Sequence, residues 1–459
     1  MRSCRVDMDM VSASVRKDDG MTIDGGPVRV GLLGMGVVGT GVARLLLEQG
    51  DRLARRAGRR LELTRVAVRD PRKPREIALP AAIRLDSDPE SIVADPEIDV
   101  VIETMGGIDH AGRLVLSALE HGKDVVTANK ALLAELGVLL FAQARASGRA
   151  LAFEAAVGGG IPIIQALEVG LAANQIQSLA AIVNGTCNFI LTSMTHDGLS
   201  YDVALAKAQE LGFAEADPTL DVDGTDTAHK LAILAQIAFG ASVTTRSIPR
   251  QGIDRLQTAD IQYAGELGYA VKLLALARHS EHGLELRVAP SLVRRGTPLA
   301  EVKGPYNAVR VVGDAVGDTL FYGRGAGAMP TASAVVGDLI DVVIGRAALT
   351  SRVLDLWSAD APGLSKTPSD RIRRRYYLRF TIADRPGVIA ALAQALGRHG
   401  ISIASVIQHD PGDDARPDGT VPLVIMTHLA VEAHLDAALA EIDRLDVVQS
   451  PSVRLGVEE

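Results

Sequence analysis

Val28 to Gly39 reads VRVGLLGMGVVG. Val28–Leu33 is a short apolar run rich in β-branched and leucine side chains, the pattern of a buried strand. Gly34-Met35-Gly36-Val37-Val38-Gly39 follows, and then a helical run, Thr40 to Gly50 (TGVARLLLEQG). GxGxxG between a strand and a helix is the context a dinucleotide-binding turn requires. Gly34 permits the tight turn, Gly36 lets a pyrophosphate approach the backbone, and Gly39 lets helix and strand pack closely. The amides of Val37 and Val38 then open the helix facing the phosphates. This stretch predicts a Rossmann-type α/β domain over residues 27–150.

Working outward, Leu61–Val68 (LELTRVAV) predicts the second strand. Arg69 stands at its end, followed by Asp70, Arg72 and Lys73. An acid at that place holds the ribose 2′-hydroxyl of NAD, and an arginine accommodates the 2′-phosphate of NADP. Arg69 comes first, so the reading leans to NADP, and Asp70 keeps NAD open. Ile98–Glu103 predicts another buried strand, ending in Thr104-Met105-Gly106-Gly107. The strand Asp124–Thr127 then leads to Ala128-Asn129-Lys130. Ligands of open α/β sheets bind at the carboxyl ends of the strands. Thr104, Gly106 and Lys130 are therefore assigned to the cofactor side, with Lys130 beside the nicotinamide.

Composition narrows the classes. The 459 residues carry 47% hydrophobic residues and 45 glycines, which suits about three domains of α/β character. A net charge of −8 and 3% aromatic residues leave no basic, base-stacking surface, so nucleic acid is not an expected partner. Cys4 and Cys187 are too few and too far apart for a disulfide framework, which fits a reducing cytoplasm. No apolar run is long enough to span a membrane. Residues 1–26 lack a signal-peptide core and read as a disordered tail, with Met21 as a second candidate start.

The middle of the chain holds the chemistry. Leu151–Ala155 (LAFEA) enters a glycine-rich loop, Ala156 to Pro162, which offers carbonyls to a hard cation beside one acid, Glu154. Asn184 to Phe189 reads NGTCNF. Leu211 to Lys230 reads LGFAEADPTLDVDGTDTAHK. It sets five carboxylates (Glu215, Asp217, Asp221, Asp223, Asp226) ahead of Lys230, and a helix is predicted from Thr225 or Asp226. Such a loop suits an ammonium-bearing substrate, and the lysine suits proton delivery to a reacting oxygen. Asp226 and Lys230 also have the spacing of an ordinary helix ion pair. Phe321 to Thr331 (FYGRGAGAMPT) forms a second glycine-rich loop, with Gly327 placed over the cofactor. It leads into a helix over about 328–346, which would complete the first domain.

These segments together resemble homoserine dehydrogenase over residues 28 to 345. The resemblance rests on VRVGLLGMGVVGTGVARLL, VVTANKALLA, FEAAVGGGIPII, VNGTCNFIL, LGFAEADPTLDVDGTDTAHKLAILA and FYGRGAGAMPTASAVVGDL. It implies NADPH- or NADH-dependent reduction of L-aspartate 4-semialdehyde to L-homoserine, on the route to threonine, methionine and isoleucine. It implies Lys230 as proton donor, Lys130 as a second active-site lysine, and Glu215 and Asp221 as substrate-binding acids. Glu154 with the backbones of Val157, Gly159 and Ile161 would hold a sodium ion. The domain 151–327 would be catalytic and would pair subunits through a sheet, as a homodimer or homotetramer. Cys187 stands where the family usually has threonine, and is a candidate oxidation site. From the residues alone, both lysines remain candidates for the proton donor, with Lys230 preferred. A covalent thioester mechanism is disfavoured because Cys187 has no evident base. A catalytically silent NADP-binding sensor is the competing class.

Ala361–Arg375 (APGLSKTPSDRIRRR) reads as a linker. Beyond it, residues 376–459 predict βαββαβ, a ferredoxin-like order, with a polar hairpin loop at Pro411–Gly419. DRPGVIA in this order resembles the ACT domain. The resemblance implies an amino-acid effector, threonine, bound at Asp384, Pro386, Gly387 and Val388.

Overall fold

The computed structural model describes residues 25–241, 243–354, 356–358, 365–409 and 419–458. All but the last two residues of the expected tail lie outside the described residues. So do Cys4, Met21, positions 361–364 of the expected linker and all but Gly419 of the expected hairpin loop.

Two large sheets organise the chain. The first is six-stranded, in the order β3-β2-β1-β4-β5-β6. Its strands are β1 (Val28–Leu33), β2 (Leu61–Ala67), β3 (Arg84–Asp86), β4 (Val100–Glu103), β5 (Asp124–Thr127) and β6 (Leu151–Ala152). All its pairings are parallel. This is the Rossmann order, and its switch point falls between β1 and β4. Both faces are covered, so the central strands β1, β4 and β5 are mostly apolar. Leu32 packs with Val42, Val335 and Leu339 on one face. Leu33 and Val101 pack with Leu114, Leu133 and Phe141 on the other. Val335 and Leu339 belong to a helix, Ala328–Val343, that returns from far along the chain onto helix Val37–Glu48. The fit is close: a Cβ on Gly41 would lie 2.7 Å from the Ala328 carbonyl oxygen.

The second sheet has nine strands, in the order β11-β10-β7-β8-β9-β17-β13-β15-β14. Its middle-domain strands are β7 (Ile176–Ile182), β8 (Tyr269–Ser280), β9 (Gly283–Arg294), β10 (Tyr306–Gly313) and β11 (Gly317–Arg324). Two short strands, β12 (Arg373–Arg374) and β16 (Ala430–Val431), pair with each other. The C-terminal strands are β13 (Tyr376–Ala383), β14 (Ile403–Ile407), β15 (Thr420–Thr427) and β17 (Val448–Glu458). With helices Val388–Arg398 and Glu432–Ile442 they make the βαββαβ unit. Alternation along β13 serves two cores. Tyr376, Leu378 and Phe380 pack against Leu392 and Leu435 of those helices. Tyr377 points the other way, into the cluster that holds Tyr263 of helix Thr258–Glu266.

The C-terminal unit is not tethered on a free linker. β17 pairs in parallel with β9, Gly456 to Glu458 against Ser291 to Val293, so one sheet runs through both units. The described part of the expected linker, 365–375, is fastened down. Leu284 donates to the Ser365 carbonyl at 2.9 Å, and Thr367 donates to the Leu284 carbonyl at 3.1 Å. Arg374, from the basic end of that expected linker, is 4% exposed and ion-paired to Glu285 of β9 and Glu458 of β17. Composition marked this stretch as a linker because its partners come from distant strands. Buried arginine stays charged, so it needs such partners.

Candidate active site

The nucleotide turn follows from backbone needs. Gly34 has φ +95°, and Gly39 faces it so closely that a Cβ would lie 2.1 Å from the Gly34 carbonyl oxygen. Gly36 caps helix Val37–Glu48 with no side-chain bond, and a Cβ on Gly36 would meet nothing within 4 Å. First-turn amides of a helix lack intrahelical partners, so they face open space here. Val37 is 70% exposed and Met105 38% exposed, an apolar lip on either side of the switch point. This donor set and this opening fit a dinucleotide. Arg69 and Asp70 are both exposed at the end of β2.

Across the switch point, fully buried Glu103 shapes the turn that holds Thr104 and Gly106. Its carboxylate accepts from the amides of Met105 (2.8 Å) and Gly106 (3.0 Å) and from Thr127 Oγ1 (2.6 Å). Thr127 Oγ1 in turn accepts from the Asn129 amide, and Asn129 Nδ2 donates to the Gly107 carbonyl at 2.6 Å. Asn129 also caps helix Lys130–Ser147 by accepting from the Leu132 amide. Lys130 is thus the first residue of that helix, on a hydrogen-bonded frame shared with the cofactor turns.

The acidic loop sorts into different tasks. Asp217 accepts from the amide and hydroxyl of Thr219, a local turn. Asp223 does the same for Thr225 at the start of helix Thr225–Phe239. Asp226 lies one turn from Lys230 and is buried between two ammonium groups. Lys230 Nζ donates to Asp226 Oδ2 at 2.7 Å, and Lys130 Nζ lies 3.1 Å from Asp226 Oδ1. Burial would raise the Asp226 carboxyl, but Lys230 and Lys130 outweigh it and hold it well below the usual range. Asn184 Nδ2 donates to Asp226 Oδ2 (3.0 Å) and to Asp221 Oδ1 (2.7 Å). Burial pushes Asp221 up. Lys230 Nζ also donates to the Val183 carbonyl at 2.7 Å.

Lys130, Lys230 and Asp221 therefore converge, and Glu215 does not. Glu215 is exposed, and its backbone carbonyl accepts from Gln209 Nε2. Sequence reasoning passed over Asp226 and Asn184. The signal for Asp226 was its spacing from Lys230, read there as an ordinary helix ion pair.

The sodium ligands expected at Glu154, Val157, Gly159 and Ile161 lie in one hydrogen-bonded loop. Both Glu154 oxygens accept backbone amides, from Ile164 (2.9 Å) and Gln165 (2.8 Å), and the Ile161 carbonyl accepts from Ile163. Among the described residues no group of three His, Cys, Asp or Glu side chains is placed to hold a metal. The glycine-rich loop is instead pinned to the second one: Gly160 donates to the Arg324 carbonyl, and a Cβ on Gly159 would lie 2.4 Å from the Gly325 carbonyl oxygen. Gly327, at φ +119°, caps the return helix. Cys187 is corrected as an oxidation site. It is fully buried and donates to the Asp221 carbonyl, and burial raises its thiol well above the ordinary value. A buried thiol of that kind is inert.

Glu154 carries a pH dependence. Burial pushes its carboxyl from 4.5 up to about 7. Between these values the unfolded chain is ionised while the folded one keeps its proton, so stability falls as pH rises through that window and then levels. The thermal midpoint should drop by about 2–4 °C between pH 5 and pH 8. Glu154→Gln should flatten the drop. An equal drop in the variant, followed by circular dichroism, would assign it to other groups.

In the unit Asp384–Val388, Asp384 to Gly387 are exposed. Gly387, at φ +91°, caps helix Val388–Arg398 with no side-chain bond, and Val388 is buried.

Comparison with known proteins agrees with this geometry. Residues 34–154 match the family described as homoserine dehydrogenase, NAD binding domain, and residues 162–340 match homoserine dehydrogenase. Residues 376–447 match the ACT domain. The homoserine dehydrogenase of Pseudomonas aeruginosa is 45% identical over 94% of this chain and 99% of its own. That of Bacillus subtilis is 39% identical over 94% and 98%. A crystal structure of a homoserine dehydrogenase from Thiobacillus denitrificans superposes with a TM-score of 0.86 at 45% identity, covering 94% of this chain and 98% of that one. A hyperthermophilic archaeal homoserine dehydrogenase in complex with NADPH gives 0.57 at 25% identity, over 69% of this chain and 97% of that one.

Proposed function

The chain belongs to the homoserine dehydrogenase family and is an NAD(P)-dependent oxidoreductase, and on that premise we propose that it reduces L-aspartate 4-semialdehyde to L-homoserine, toward threonine, methionine and isoleucine. The observation that carries the reading is the Asp226 carboxylate held between Lys230 and Lys130 at the cofactor edge of the parallel sheet.

When bound, the nicotinamide supplies hydride to the aldehyde carbon. The carbonyl oxygen then gains charge and needs a proton. Lys230 uses one N–H on Val183 and one on Asp226, which leaves a third for that oxygen. Its ammonium both stabilises the developing alkoxide and protonates it. Asp226 fixes both ammonium groups in one place. Asp221, oriented by Asn184, takes the substrate α-ammonium. Lys130, more exposed, takes the α-carboxylate. Glu215 belongs to the outer part of the same loop and closes on the substrate from solvent. The test is L-homoserine oxidation at alkaline pH, followed as NADPH or NADH appearance. Folded protein without turnover on either cofactor would leave the silent-sensor reading.

NADP is the preferred cofactor, through Arg69 at the end of β2. Arg69→Ser should raise KM for NADP⁺ about tenfold, the equivalent of about 1.4 kcal/mol, and leave KM for NAD⁺ nearly unchanged. Equal KM changes for both cofactors would remove Arg69 from the 2′-phosphate. The enzyme acts in the cytoplasm as a homodimer or homotetramer. Threonine is its feedback inhibitor, bound at the turn Asp384–Val388.

A further inference from the structure

Trp357 is the chain's single tryptophan. It is 6% exposed, and its φ of 52° is the one positive value outside glycine among the described residues. A bulky residue holds that conformation only where its surroundings fix it. The surroundings here are the two helices that carry the lysines.

The indole stacks on Phe141, centroids 4.6 Å apart and planes 10° apart, and meets Phe153 edge-on at 5.5 Å. One turn before Phe141, Gly137 makes room: a Cβ there would lie 2.5 Å from the indole Nε1. One turn after it, Arg145 Nη1 donates to the Leu356 carbonyl at 2.7 Å. All three positions lie on the Lys130 helix, Lys130–Ser147. On the other side stands Gln236 of the Lys230 helix, Thr225–Phe239. With its amide turned to donate to the Ala241 carbonyl, its oxygen accepts from the Trp357 amide at 3.2 Å. The chain enters this place from the segment after the return helix.

We infer that Trp357 is a positioning residue for the reaction: a wedge that sets the Lys130 helix against the Lys230 helix. It thereby sets the grip of both ammonium groups on Asp226. The inference rests on the lysine roles proposed above. It predicts that the wedge moves with the active site, because coupling between two places is reciprocal. Rigid packing transmits such shifts, and displacement of reacting groups by about 1 Å costs on the order of a hundredfold in rate.

The experiment uses the full-length protein. Emission of the single tryptophan, with acrylamide quenching, is followed while NADP⁺ and L-homoserine are added together. Trp357→Phe and Trp357→Ala are assayed for kcat, KM and the pH profile of kcat. Wild-type emission should shift with NADP⁺ plus L-homoserine. Trp357→Phe should keep most of kcat. Trp357→Ala, folded by circular dichroism, should lose about ten- to a hundredfold in kcat and show a displaced pH profile, with KM for NADP⁺ little changed. A merely structural role would leave the pH profile in place. Emission that ignores NADP⁺ and L-homoserine overturns the wedge, and this arm decides the matter even where Trp357→Ala does not fold. Wild-type kcat and pH profile in folded Trp357→Ala overturn it equally. Full activity in Lys230→Ala would count against the lysine roles whatever Trp357 does.

Discussion

Lys230→Ala is expected to lower kcat for L-homoserine oxidation by about 10²–10⁴-fold, the range for loss of a positioned acid or base. The Lys230 side chain is 13% exposed and is held by one backbone carbonyl and one carboxylate, so no nearby solvent group replaces it in place. Neither contact involves the nucleotide turn, and KM for NADP⁺ should change by no more than a few fold. Removing Lys230 also leaves Asp226 with one cation, which makes the site more anionic toward the substrate carboxylate. Part of the loss should therefore appear in KM for homoserine. Steady-state assays at alkaline pH separate these effects. An unchanged kcat would move the proton to Lys130 or to water.

The second large effect concerns stability. Asp260 is fully buried and accepts from Arg379 Nε (2.6 Å), Arg379 Nη2 (3.1 Å), Tyr377 Oη (3.1 Å) and the Gln257 amide (2.9 Å). It performs three tasks at once: it closes the start of helix Thr258–Glu266, neutralises a buried arginine of β13 and satisfies a buried phenol of the same strand. Asp260→Ala strands Arg379 in the interior without a counter-charge. Breaking a buried pair from one side costs about 3–5 kcal/mol. Asp260→Ala/Arg379→Leu should recover much of that, since no charge is then left unpaired. Denaturant midpoints of wild type, single and double variants test it. A single variant within about 1 kcal/mol of wild type would mean that water reaches Arg379 at the seam.

What was legible in the sequence was local. The turn Gly34–Gly39 could be read because strand, glycines and helix are adjacent and each glycine has a steric reason on the spot. The start of the Lys230 helix was readable for the same reason. The acidic loop was not sortable. Its five carboxylates look alike in sequence, and what separates Asp221 and Asp226 from Asp217 and Asp223 is Asn184, 37 and 42 residues away from the first two. Glu154 looked like a free carboxylate beside carbonyls, but two amides ten and eleven residues later take both oxygens. The basic run ending in Arg375 looked like linker because the partners of Arg374 lie 84 and 89 residues away. Residue types announce chemistry, and tertiary placement decides which copies of a type perform it.

The parallel join of β9 to β17 also bears on how far this enzyme tolerates being shortened. In a chain cut ahead of Tyr376, Ser291 to Val293 lose their ladder partners, and that stretch of β9 becomes an open edge. Apolar, unpaired edges recruit other chains. Arg374 would stay in the chain but lose Glu458, one of its two buried counter-ions, at the same time. Removing the C-terminal unit is therefore not a neutral truncation. It exposes a template for aggregation. Point changes within that unit, in the turn Asp384–Val388 for example, leave the edge covered.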